Sequence, residues 1–207
     1  MKQGFTLIEM AMVLLIVGLL VGSFVIPLGA QMDINNIKAT DQRLAQIKEA
    51  LLGYAARNRR LPCPASDATT GIEDTNALNC SKRGWLPWAN LNMEGKDAWG
   101  RYFIYRIDNA HISASAYNVT IPTTTNALSV VNKAGTTTLT TGAVAIIFSA
   151  GKNGNSEKLN IFNDIVDSTD QTYTQDDFVP NDFDDRLIWL SDNELVSRLT
   201  AAGFRIK

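Results

Sequence analysis

The sequence predicts an α+β fold: a long N-terminal helix, its first half membrane-spanning, packed on a small antiparallel β-sheet domain, with a short C-terminal helix. Three observations carry that expectation. An apolar run fills most of residues 5–30. A second stretch, 34–60, repeats apolar residues at spacings of three and four, as one helical face requires. Residues 85–190 then mix β-prone segments with turn residues, ahead of a capped helix at 191–203.

The bulk numbers set the frame. A chain of 207 residues with one membrane segment leaves room for one ordinary soluble domain, here residues 31–207. A formal charge of -2 and a pI near 5.4 argue against a general nucleic-acid binder.

The apolar run begins Phe5-Thr6-Leu7-Ile8-Glu9 and continues to Ile26. It is long enough to cross a bilayer, which takes about 20 residues. Glu9 stands near its front, and an acid at the centre of a span costs about 2.5–3.5 kcal/mol. A cleaved secretory signal would suit Lys2 and the small residues Gly29-Ala30, but the apolar run exceeds a usual signal core. An ordinary anchor fits the length and leaves Glu9 unexplained.

Lys2-Gln3-Gly4-Phe5-Thr6-Leu7-Ile8-Glu9 resembles the processing site of type IV pilins and of the pseudopilins of type II secretion. The resemblance implies a leader peptide of residues 1–4 and cleavage between Gly4 and Phe5 by a prepilin peptidase. It also implies N-methylation of Phe5. Glu9 would then be the fifth mature residue and would pair with the N-terminal ammonium of a neighbouring subunit. Two buried charges become tolerable when each neutralises the other. Lys2 ahead of the span leaves the N-terminus cytoplasmic by the positive-inside tendency. The expected setting is the bacterial inner membrane, with the C-terminal domain periplasmic, and later a pilus or pseudopilus.

Pro27 predicts a bend, or a break and restart, in the helix. Beyond it, Leu44, Ile47, Leu51 and Tyr54 form the apolar stripe of the 34–60 helix, with Asp41, Arg43, Lys48 and Glu49 on the opposite face. Arg57, Arg59 and Arg60 favour its C-terminus, and Pro62 and Pro64 stop it. Residues 61–84 read as a loop. Cys63 and Cys80 lie in it, and in an exported domain they are expected to form a disulfide, which staples a segment with little core of its own. The single histidine, His111, and the absence of a second cysteine pair leave no zinc set.

In the β-rich part, Asp97-Ala98-Trp99-Gly100 predicts a tight turn, and Tyr102 to Ile107 predicts a strand. The tryptophans Trp85, Trp88 and Trp99 are read as core and loop anchors rather than a ligand platform. Residues 113–141, rich in Thr and Ser, predict short exposed strands. Asp-x-Trp-Gly at 97–100, the strand and glycine turn at 145–154, and Asp184-Asp185-Arg186-Leu187-Ile188-Trp189 resemble segments of major pseudopilins. That resemblance implies a calcium site between the glycine turn and the Asp184 segment. Here Asn153 replaces a frequent acid and a long insertion intervenes, so the acidic stretch 164–185 reads as a solvated surface loop, with calcium the alternative and no cofactor otherwise expected. Finally, Ser191-Asp192-Asn193-Glu194 is a capping box, followed by a Leu195, Leu199, Ala202 stripe and a Gly203 stop.

No nucleotide fingerprint or Gly-x-Ser-x-Gly motif accompanies His111, so no enzyme is expected. The resemblance implies a structural subunit, either a pseudopilin or a minor pilin. Its partners would be homologous subunits, the prepilin peptidase and an inner-membrane platform with its ATPase. The alternative is a pilus tip or adhesin subunit with a ligand surface on the globular domain.

Overall fold

A computed structural model of the chain describes residues 5–76, 80, 83–108, 111, 128–154, 171–179 and 182–204, with the side chains of 23–28 outside the description. The leader residues through Gly4, the Thr-rich segment 112–127, most of the acidic insertion before 171, and the last three residues lie outside the described part. The chain divides into two units, Met1–Lys38 and Ala39–Lys207.

Helix α1 spans Leu7–Asn58 and therefore does not stop and restart at Pro27. In the first unit every described side chain from Phe5 to Gly22 is exposed, apolar ones included. Among the described residues, no helix is long and apolar enough to cross a membrane.

In the second unit the remaining elements follow in order. They are β1 (Gly84–Trp85), α2 (Trp88–Leu91), β2 (Ile104–Ile107), β3 (Leu128–Val131), β4 (Thr138–Ser149), β5 (Thr172–Thr174), β6 (Arg186–Ser191) and α3 (Asp192–Ala201). They form a mixed six-stranded sheet organised by β4, with antiparallel partners β2, β3 and β6. Ala143 faces Leu128 of β3 and Ser191 of β6, so those two strands flank β4 on opposite edges.

The expected all-antiparallel sheet needs one correction: β5 pairs parallel with β3 through Ser129–Thr172 and Val131–Thr174. The topology explains it. β4 runs back to the end at which β3 starts, so the chain can enter β5 from that end, beside β3 and in the same direction.

The sheet buries both faces. One face packs Tyr105, Ile107, Ala145, Ile147 and Leu190 against Leu44, Ile47, Leu51 and Tyr54 of α1 and against Leu195 and Leu199 of α3. The other gathers Ile104, Val130, Ile146, Phe148, Tyr173 and Leu187. The predicted α1 stripe is therefore the domain's core contact, and each of its large side chains is about the size whose truncation costs 2–5 kcal/mol. Burial on both faces also explains why β2 shows no polar alternation, for all four of its residues are buried.

The polar face of α1 is not simply solvated. Asp41 accepts two hydrogen bonds from Arg186 at 2.8 and 2.9 Å, Arg43 pairs with Glu94, Lys48 with Glu194, and Glu49 with Arg198. The helix stops at Asn58 because Arg59 takes a left-handed conformation, φ 56°, ahead of the two prolines.

Candidate assembly site

Thr6 precedes α1, and its surroundings follow from the pattern Thr-x-x-Glu. The Glu9 N–H donates to Thr6 Oγ1 at 3.4 Å, and the Thr6 N–H donates to Glu9 Oε2 at 3.4 Å. That reciprocal pair is a capping box, which satisfies orphan donors at the start of a helix. Glu9 also faces the positive end of the helix dipole. The carboxylate thus has a local role that the reading of Glu9 as an anomaly missed. The signal was visible: it is the same pattern recognised at Ser191–Glu194.

The box does not neutralise Glu9. Its partners are a neutral hydroxyl and neutral N–H groups, and among the described residues no cation lies within ion-pair distance. Phe5, beside it, is 80% exposed. Gly4 lies outside the described residues, so the proposed scissile bond is placed by sequence alone.

At the other box, Ser191 caps α3 as predicted, with both reciprocal bonds present. Glu194 there also binds Lys48. Burial pushes the Glu194 carboxyl up, but the Lys48 ammonium and the Ser191 donors outweigh it and hold the group below its ordinary value. Of the predicted stripe, Leu195 and Leu199 are buried, whereas Ala202 is the exposed C-cap.

Cys63 and Cys80 are joined by a disulfide with Cα atoms 4.8 Å apart, and both are buried. The loop they close carries a hub that sequence reading did not find. Glu73 accepts from Arg60 twice at 2.8 Å, from the Tyr54 hydroxyl at 2.9 Å and from the Cys63 N–H at 3.0 Å. Burial and then the bond to Glu73 push the Tyr54 hydroxyl up to about 12. A lone glutamate in a polar loop gives no local sign of partners 10, 13 and 19 residues away.

The tryptophans act as anchors where their contacts are clear. Trp88 donates to the Ala68 carbonyl at 2.9 Å, and a Cβ on Gly71 or Gly95 would strike its ring at 2.2–2.3 Å. The neighbouring cleft, of about 580 Å³, has its Arg43 and Glu94 already paired. His111 is fully buried 3.7 Å from Asp192, and burial lowers its imidazole to about 4, so it is neutral at pH 7.

The acidic stretch departs from the solvated reading at its end: Asp184 and Asp185 are buried. Calcium takes six to eight oxygen ligands. Around the glycine turn, several oxygens already accept hydrogen bonds. Asp184 Oδ2 accepts from the Asn153 N–H at 2.7 Å, and the Lys152 carbonyl accepts from Arg101 at 2.8 Å. Asp97 accepts from the N–H groups of Trp99 and Arg101 and from the Ser149 hydroxyl. Asp184 Oδ1 and Asp185 Oδ1 are buried and accept no hydrogen bond, and no group of three acidic, His or Cys residues forms among the described residues. The described residues by themselves offer fewer free oxygens than calcium takes, and most of the acidic stretch lies outside them.

No family model matches the chain, and neither a curated protein nor a solved structure is measurably similar to it.

Proposed function

We propose that the chain is a filament subunit of the type IV pilin-like kind, a pseudopilin or minor pilin. On this reading it is matured by cleavage between Gly4 and Phe5 and assembled through the apolar part of α1. One observation carries the proposal: Glu9 is a capped but unneutralised carboxylate in a segment whose apolar side chains are exposed on every side. Such a helix calls for an apolar environment, and such an acid calls for a cation from another molecule. The ammonium that cleavage would create at Phe5 of a neighbour has the right charge.

The work is then mechanical rather than catalytic. Before assembly the apolar segment lies in the inner membrane with the cysteine-bearing domain on the oxidising, periplasmic side, where a disulfide persists. Leaving the bilayer requires an assembly platform and its ATPase, since this chain has no nucleotide motif. Intact-mass measurement of the purified protein tests the reading. The expected species starts at Phe5 and carries one methyl group on its amine; a mature species that starts elsewhere contradicts it.

A further inference from the structure

We infer that, among the described residues, the Gly151–Gly154 turn is closed by a built-in cation, the Arg101 guanidinium, which takes the place a calcium ion would fill at that turn. The inference stands apart from the filament reading. The turn is bracketed on two sides. On one, Asp184 comes so close that a Cβ at Gly151 would meet its carbonyl oxygen at 2.2 Å. On the other, the Arg101 guanidinium lies so close that a Cβ at Gly154 would meet Nη1 at 1.8 Å. Both glycines have positive φ, 56° and 72°, so each serves the bend and the close approach together.

Arg101 is held there from behind. Its own N–H binds Asp97 Oδ1 at 2.8 Å, and Asp97 Oδ2 takes the Ser149 hydroxyl at the end of β4. The same Ser149 oxygen accepts the Gly151 N–H at 3.1 Å. Asp97 thus ties the Arg101 backbone to the turn, while the guanidinium reaches over it and donates to the Lys152 carbonyl. A divalent cation that used that carbonyl would have to displace a fixed, permanently charged group. The Asp184 carboxylate caps the Asn153 N–H through Oδ2, and its Oδ1 is buried without a hydrogen-bond partner.

The test is thermal melting of the full-length protein in detergent micelles, with calcium chloride and, separately, with the calcium chelator EGTA. The wild type is expected to melt at the same temperature in both, within about 1 °C. Arg101→Gln is expected to lower the midpoint by about 3–8 °C in both conditions, the scale of one charge-assisted hydrogen bond in a domain of this size. Arg101→Lys, which keeps the charge and loses the fork, should fall between, and it serves as the readout if the glutamine variant does not fold. Gly154→Ala should lower the midpoint too, because its Cβ takes the guanidinium's place. A wild-type midpoint that rises several degrees with calcium overturns the inference. So does an Arg101→Lys or Arg101→Gln protein that melts like the wild type.

Discussion

Thr6–Glu9 and Ser191–Glu194 open two helices with the same four-residue pattern and the same reciprocal bonds, yet their glutamates live in different surroundings. Glu194 sits on the folded domain, where Lys48 supplies its countercharge from within the chain. Glu9 sits among exposed apolar side chains and has no cation among the described residues. The caps do equal work for the backbone; the charges do not. Glu194 is satisfied within the fold, whereas the proposed filament reading assigns the countercharge of Glu9 to a neighbouring subunit.

That contrast can be broken at several points, and the largest effect is expected at the leader. Gly4→Val should leave an uncleaved precursor on a gel and reduce filament incorporation to background, because the ammonium proposed to meet Glu9 is never made. The domain's melting temperature should stay unchanged. Cys80→Ser should do the reverse. It opens a loop of sequence separation 17, worth about 3 kcal/mol in denaturant unfolding, while leaving cleavage after Gly4 intact.

Acid should act on the domain in a defined window. His111 has a folded value of about 4 against an ordinary 6.5, so the unfolded chain binds more protons between those values. Stability is then full above about pH 6.5 and declines as pH falls toward 4. His111→Gln should flatten that slope in pH-dependent melts. Glu194 follows in more acidic solution: its depressed folded value means that its contribution is present above the ordinary 4.5 and fades below it. The smallest effect is the cap itself. Ser191→Ala should cost the domain about 1 kcal/mol, and Thr6→Ala should leave the domain's melting unchanged.

Much of the fold was legible because its signals are local. The Leu44, Ile47, Leu51, Tyr54 stripe announces a core-facing helix by period alone, and Ser191–Glu194 announces a helix start by spacing. What stayed hidden is long-range. Arg186 meets Asp41 across 145 residues, and β5 finds β3 across a separation no local pattern records. Asp184 and Asp185 read as solvent-facing because a run of acids usually is; their burial depends on the turn at Gly151 and the sheet behind it. The candidate site was half legible. Glu9 stood out as a charge, whereas its capping role went unread because the apolar run around it drew the membrane reading first.

The most direct test separates the two roles of Glu9. Glutamine at position 9 keeps a side-chain oxygen that can accept from Thr6, so the capping box survives, but the charge is gone. The measurement is the fraction of Glu9→Gln protein recovered in sheared filaments, alongside confirmation that it is cleaved at Phe5. The account predicts normal cleavage with incorporation reduced at least about tenfold, as loss of one intersubunit ion pair worth more than about 1.4 kcal/mol would give. Cleavage and incorporation both equal to wild type would contradict it, leaving Glu9 a helix cap and nothing more.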